Sequence, residues 1–165
     1  MTTQQSTFSV SDWLTGRLPS EWFTAVAVTV DREEITILGT IPAPESGSAD
    51  SQSGRIKRFR EDTRGQRIEI ALELESRTEL KVSWGVTCGE TTEMFTRLAV
   101  PVMTRLAQPQ RQVLDTLLEA GVARSRSDAL AWCVRLVAQH QGDWLAELES
   151  AMGSVRAARA NGPSA

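Results

Sequence analysis

The sequence predicts an α+β protein made of two small modules. Period-two alternation of β-branched residues over 22–41 and 80–86 predicts strands. From residue 109 onward, apolar residues recur instead at the spacing of one helix face. The charge is also divided: residues 1–96 carry 10 Lys and Arg against 15 Asp and Glu, a net −5, and residues 97–165 carry 8 against 6, a net +2. The two halves therefore need separate interpretations.

The composition and motifs limit the classes of function. With 165 residues, 41% hydrophobic and 24% charged, the chain is typical of globular proteins. It contains no apolar run near the roughly 20 residues of a membrane-spanning helix and no secretory signal pattern at its start, so we expect a cytoplasmic protein without a membrane partner. His140 is the only histidine, so the sequence contains neither a cluster of histidine metal ligands nor a catalytic triad with a free choice of histidine. A phosphate-binding glycine loop and a GxSxG motif are also absent from the sequence. We expect no enzymatic activity, no metal site and no cofactor.

The first module is predicted over residues 20–90, after a flexible leader at 1–19. The leader is rich in Thr, Gln and Ser, and only a short turn could pack within it. Strands over 22–30 and 35–41 are separated by a polar turn at Asp31, which predicts a β-hairpin.

The middle of this module is less uniform. Residues 45–54 contain no large apolar side chain and are predicted to be a disordered loop. The stretch 66–75 has the alternation of a strand and the composition of a helix. We predict a helix over about 60–77, with a strand as the alternative, and a further strand over 80–86.

A basic run lies in the same region. Its possible surface patch consists of Arg55, Lys57, Arg58 and Arg60, and Arg64 and Arg67 continue the run. Such a patch could make a second nucleic-acid contact. A solvated helix face is the alternative interpretation.

The second half predicts a strand followed by three helices. Residues 96–106 alternate with a mostly apolar even face. A first helix begins near Pro109, and Gly121 has the position of a left-handed residue after its end. A second helix begins at Ser125 with a capping box completed by Asp128. An extra C-terminal helix follows, and residues 160–165 are predicted to be a tail.

The segment Thr104–Arg135, TRLAQPQRQVLDTLLEAGVARSRSDALAWCVR, resembles the ribbon-helix-helix family of Arc/MetJ-type DNA-binding proteins. Its matching parts are the Thr-Arg-Leu strand end, the Leu-Asp-x-Leu helix, the glycine and the SRSDA helix start, without a gap between them. The resemblance implies a ribbon-helix-helix domain over 94–159. It also implies a homodimer, because two chains pair their strands into one ribbon that fits the major groove.

The resemblance also implies which residues contact double-stranded DNA. By parity, the base-reading face of the ribbon holds Arg105, Met103 and Pro101. The phosphate contacts at the start of the second helix are Arg124, Ser125, Arg126 and Ser127.

The expected function is therefore that of a homodimeric transcriptional regulator, such as a repressor. The N-terminal module would sense a signal, bind a protein partner or join dimers into larger assemblies. The alternative is a dimeric adaptor or antitoxin-like interaction module that does not bind DNA. The acidic net charge, Pro101 and the apolar Met103 motivate this alternative.

Overall fold

The chain forms two compact units, residues 1–102 and 103–165, and the computed structural model describes residues 8–45 and 47–161. The first unit contains α1 (Val10–Arg17), β1 (Ala25–Val30), β2 (Glu34–Ile41), α2 (Ala49–Asp62), α3 (Arg64–Thr78), β3 (Lys81–Cys88) and β4 (Thr91–Met94). The second contains α4 (Gln108–Glu119), α5 (Arg126–His140) and α6 (Gly142–Ala160). The predicted α+β class is confirmed. Within the described ranges, each helix is too short or too polar to cross a bilayer.

The first unit is organised around a mixed sheet with strand order β1-β2-β3-β4. β1 and β2 form the predicted hairpin, which is confirmed, and the Asp31 carboxylate closes its turn by accepting from the amides of Glu33 and Glu34 at 2.7 and 2.8 Å. These two hydrogen bonds hold the pKa of Asp31 below its ordinary value. β2 and β3 run parallel, so the chain between them crosses back along the sheet as α2 and α3.

The core of this unit lies between the sheet and the helices. The fully buried residues of the strands include Ile35, Ile37, Val86 and Cys88, and they pack with Ile56 of α2 and with Ile70 and Leu74 of α3. Leu14 of α1 joins the same cluster. Burying side chains of this size contributes roughly 1.5–3 kcal/mol each, which gives this unit a core of its own.

The ambiguous stretch 66–75 is helical. Ile68 and Leu72 are exposed, whereas Ile70 and Leu74 are completely buried. A strand would place all four on one face, but a helix separates neighbours two residues apart. The predicted helix over 60–77 is therefore confirmed in its main part, although it is interrupted at Thr63, where α2 ends and α3 begins.

The prediction of a disordered loop at 45–54 is wrong for residues 49–54, which form the first turns of α2. Ser48 caps this helix by accepting from the Ser51 amide. Buried Gln52 accepts from Thr91 at 2.8 Å, and Ser53 donates to Glu93 at 2.5 Å. Polar contacts to β4, which composition alone does not reveal, hold this segment in place.

The prediction of a flexible leader over residues 1–19 is also wrong for the part that the structure describes. Residues 10–17 form α1, Leu14 is buried, and Arg17 donates to both oxygens of Glu73 in α3 at 2.6 and 2.9 Å. Residues 1–7 lie outside the described ranges, as do residues 162–165 of the predicted tail. Beyond the predicted module of hairpin, helix and strand, the first unit also includes α1, a second helix and β4.

The predicted strand over 96–106 is not formed in the single chain. The strand in this region is β4, which ends at Met94 and pairs with β3, and residues 96–107 have no regular secondary structure. A strand needs a hydrogen-bonding neighbour, and none of the described residues forms a ladder with this segment. The second unit consequently consists of three helices in place of a ribbon and helices.

Candidate nucleic-acid interface

The turn between α4 and α5 is fixed by a left-handed glycine. Gly121 has φ 73°, a conformation that costs least for a residue without a Cβ. Its amide donates to the Leu118 carbonyl at 3.0 Å, and the Val122 amide donates to the Leu117 carbonyl at 2.9 Å. This pair of bonds is the Schellman helix ending. The predicted role of Gly121 is confirmed, and it sets where α5 begins.

The start of α5 has the predicted cap. The Ser125 hydroxyl accepts from the Asp128 amide at 3.1 Å, which confirms the serine half of the capping box. The Asp128 carboxylate reaches one residue further back than in the usual box and accepts from the Arg124 amide at 3.1 Å. The amides of Arg126 and Ser127 belong to the first turn and have no carbonyl partner within the helix. They give this helix end the polarity that attracts anions.

Removal of the cap gives a simple test of this local structure. A Ser125→Ala chain should lose about 1 kcal/mol of unfolding free energy in the second unit, because one amide loses its acceptor. Urea denaturation followed by helical circular dichroism measures the loss. Ser127→Ala, two residues further along the helix, serves as the matched control. It should change the free energy of unfolding by less than about 0.5 kcal/mol. Equal losses in both variants would contradict the capping role.

Arg126 is bound within the protein. Its guanidinium donates to both carboxylate oxygens of Asp115 in α4, at 2.7 and 2.8 Å. These hydrogen bonds hold the pKa of the Asp115 carboxyl below its ordinary value and raise that of Arg126. Of the four residues expected at the phosphate contact, Arg126 is thus committed to joining α4 to α5, and the Ser125 hydroxyl to the cap.

Two of the residues expected to contact DNA have free side chains among the described residues. Arg124 and Arg105 are exposed, and neither forms an ion pair with any described residue. Met103 is 96% exposed, while Leu106 packs against the buried cluster of Leu114, Ala123 and Ala129. Leu106 is thus half-buried and Arg105 exposed, but the predicted alternation does not continue upstream, where Val100 and Val102 of the same face as Leu106 are exposed. Pro101 belongs to the first unit, on the other side of the boundary after Val102.

The possible second basic patch is split by α2. Arg55 and Arg58 line a groove of about 280 Å³ beside Trp22 and Phe59. Lys57 and Arg60 line another groove of about 450 Å³, together with Ser53, Glu61, Arg64 and Glu93. The structure therefore places the four cations of the predicted patch in two separate grooves of the first unit.

Two charged contacts were not identified from the sequence. For the pair Asp115–Arg126, the resemblance implied only that α4 lies close to the start of α5, and it did not identify Asp115 as the partner. No feature of the sequence indicated that Arg67 is buried, because its basic neighbours are typical of a solvated helix face. Among the described residues, no group of His, Cys, Asp and Glu is arranged to hold a metal ion.

Comparison with known proteins divides the chain in a similar way. Residues 8–94 match the family model described as the N-terminal domain of Rv1265-like protein, and residues 107–159 match the Mb1296 C-terminal domain. The first match ends with β4, and the second begins at the residue before α4. Neither description names a ribbon-helix-helix, so that resemblance stays a prediction.

The chain has close relatives in two mycobacteria. It is 54% identical over 164 residues to uncharacterized protein Mb1296 of Mycobacterium bovis and to uncharacterized protein Rv1265 of Mycobacterium tuberculosis. Each alignment covers 97% of this chain and 73% of the relative. No solved structure gives a significant match. By the match over residues 8–94 and by these relatives, the chain belongs to the family of Rv1265-like proteins.

Proposed function

We propose that this protein is a homodimeric DNA-binding transcriptional regulator whose second unit contacts DNA. The observation that carries the proposal is the uncovered apolar face of the second unit. This face comprises Val134 and Val137, one turn apart on α5, together with Val113 of α4 and Val122 of the turn after it, all exposed in the single chain. The buried cluster beside it has only Leu114, Ala123 and Ala129. A helical unit with so small a core gains most of its stability from a partner surface.

A second copy of the chain is the partner that best fits this surface. In the ribbon-helix-helix arrangement, two copies pair their N-terminal segments and wrap a shared core around them. Leu106 already packs toward the core, and the residues next to it lack strand partners. Pairing of two such segments would satisfy their backbone groups and cover the apolar face in one step. The unpaired state of residues 103–107 in one chain is consistent with this assembly.

The dimer would present the chemistry that DNA recognition needs. Two copies of Arg105 would lie on the outer side of the ribbon, where a guanidinium can bind guanine with two hydrogen bonds. Two copies of Arg124 would flank the starts of α5, whose free amides favour phosphate. With Arg126 engaged by Asp115, the phosphate contact reduces to Arg124 and the backbone of the first turn.

Substitution of Arg105 tests this proposal directly. We expect wild-type protein to bind a subset of genomic fragments in a gel shift at moderate salt, and Arg105→Ala to weaken that binding by about 1–3 kcal/mol, roughly five- to 150-fold. Arg159→Ala, which removes the same charge near the end of α6, is the matched control and should bind nearly as well as wild type. If wild-type protein binds no fragment, or if both variants bind equally, the proposal fails.

One observation favours a second candidate, a dimeric adaptor without DNA. Met103 and Val102 are almost fully exposed, and apolar side chains of this kind bind another protein surface better than they bind phosphates. A stoichiometric protein that copurifies from the native host, and whose binding survives Arg105→Ala, would favour this function over the first.

A further inference from the structure

Arg67 is a buried cation without an acidic partner. Its side chain lies in α3 and is only 7% exposed. Its Nε donates to the Thr63 hydroxyl at 3.0 Å, and one Nη donates to the Arg60 carbonyl at 2.7 Å. No described carboxylate lies within ion-pair distance of it. Guanidinium has five N–H donors, and buried charges are normally paired.

The surroundings of Arg67 are themselves basic. Its guanidinium carbon lies 4.7 Å from the centre of the Phe95 ring, and that of Arg60 lies 5.3 Å from the same ring. Burial first, and then the charges of Arg60 and Arg64, lower the pKa of Arg67 to about 10. Arg67 is thus buried beside two exposed arginines, and its charge is costly there unless a negative charge joins it.

A neutral buried donor near Arg67 lacks any acceptor among the described residues. The indole Nε1 of Trp84 is buried and meets no hydrogen-bond partner among the described residues. The Trp84 ring lies 6.0 Å from the Arg67 guanidinium carbon. Buried donors without acceptors are rare, and each one calls for a specific explanation. Trp84 thus has one donor without an acceptor, and Arg67 has three N–H groups beyond the two engaged by Thr63 and Arg60; an acceptor that binds near them would serve both residues.

An opening to solvent lies next to this cluster. Arg60 and Arg64 line the groove of about 450 Å³ described above, with Lys57 on the same wall. The groove also holds the carboxylates of Glu61 and Glu93, and Glu93 is engaged by the Ser53 hydroxyl. Arg60 lines this groove, and its guanidinium lies over the same Phe95 ring as that of Arg67, so the groove is a neighbour of the buried arginine.

We propose that Arg60, Arg64 and Arg67, with the indole N–H of Trp84, form a binding site for an oxyanion of the phosphate class. A tetrahedral oxyanion accepts several hydrogen bonds at once, and arginine provides them in pairs. The anion would neutralise the three guanidinium groups and supply acceptors to Arg67 and Trp84. This site lies in the first unit and does not depend on DNA binding by the second.

Phosphate binding by full-length protein tests the site. Thermal unfolding is followed in inorganic phosphate and in chloride of equal ionic strength, and we expect wild type to be stabilised specifically by phosphate. Arg64→Gln, at an exposed position of the groove, should weaken phosphate binding by about tenfold or more. The matched control Arg32→Gln removes the same charge from the β1–β2 turn and should respond to phosphate as wild type does.

Arg67→Met separates binding from a structural role. Methionine fills most of the volume without the charge, so the chloride melting temperature should stay equal or rise, while the phosphate response disappears. A structural arginine would give the opposite result, with a lower melting temperature in both salts and an unchanged phosphate response. That outcome, or a wild type without a phosphate-specific shift, would overturn the proposal.

The source of the phosphate follows from a further comparison. A random-sequence DNA duplex is titrated against wild type, Arg64→Gln and Arg105→Ala. Duplex binding that weakens in Arg64→Gln supports the site with a nucleic-acid backbone as its ligand. Duplex binding unaffected by Arg64→Gln, combined with the inorganic phosphate response, supports the site with a small phosphorylated ligand.

Discussion

A Val134→Asp chain should be a monomer that does not bind DNA. Val134 lies in α5 on the uncovered apolar face and is 64% exposed in the single chain. In the proposed dimer this position is covered, and the substitution would bury an unpaired carboxylate in each copy. That costs several kcal/mol per dimer, enough to reduce association by about a thousandfold or more. The paired ribbon and the bound DNA would be lost with the dimer.

Analytical ultracentrifugation with a gel shift on the same samples measures both effects. Wild type should sediment at twice the chain mass of 18.1 kDa, and Val134→Asp at the mass of one chain. Gln139→Asp adds the same charge to the polar part of α5 and should leave both mass and DNA binding unchanged. A wild-type monomer, or a dimeric Val134→Asp, would rule out this face as the dimer contact.

The other large effect concerns the stability of the first unit. Ile70→Ala should lower the free energy of unfolding by about 2–5 kcal/mol, since Ile70 is completely buried between α3 and the sheet and its removal leaves a cavity. Ile68→Ala, in the same helix, should cost less than about 1 kcal/mol, because half of that side chain is exposed. Urea unfolding monitored by tryptophan fluorescence compares the two.

This pair also examines the architecture of the unit. Similar losses for Ile68→Ala and Ile70→Ala would fit a strand with both side chains on one buried face. A large difference between them is expected only for the helix.

The local elements of the fold followed from the sequence where neighbouring residues determine them. The hairpin has its alternating β-branched residues and the Asp31 turn within 20 residues of chain. Gly121 and Ser125 act on the backbone next to them, so the helix end and the helix start were correct. Such signals are physical constraints on a few adjacent dihedral angles, and distant parts of the chain do not change them.

The errors arose where distant contacts decide the structure. Residues 49–54 look disordered because they lack apolar side chains, yet Gln52 and Ser53 bind Thr91 and Glu93, about 40 residues away. The segment 96–106 has the alternation of a strand, but alternation alone does not provide a neighbouring strand for the hydrogen bonds. The burial of Arg67 could not be predicted for the same reason, because only the folded chain brings Phe95 and Trp84 against it.

The candidate interface was predictable in part. Arg105 is exposed and Leu106 half-buried, as predicted, but Val100 and Val102, which parity places on the same face as Leu106, are exposed. The sequence did not show that Arg126 is held by Asp115, because spacing along one helix says nothing about a carboxylate on the preceding one.

The parallel pairing of β2 with β3 has a consequence for how the chain is made. Ile37 pairs with Trp84, so the centre of the sheet joins segments that leave the ribosome 47 residues apart (84 against 37). The β1–β2 hairpin can close early, but its Ile35 and Ile37 stay exposed until β3 has been synthesised. A nascent or truncated chain that ends before Lys81 therefore displays an apolar, half-finished sheet edge. Such chains are natural substrates for chaperones and proteases.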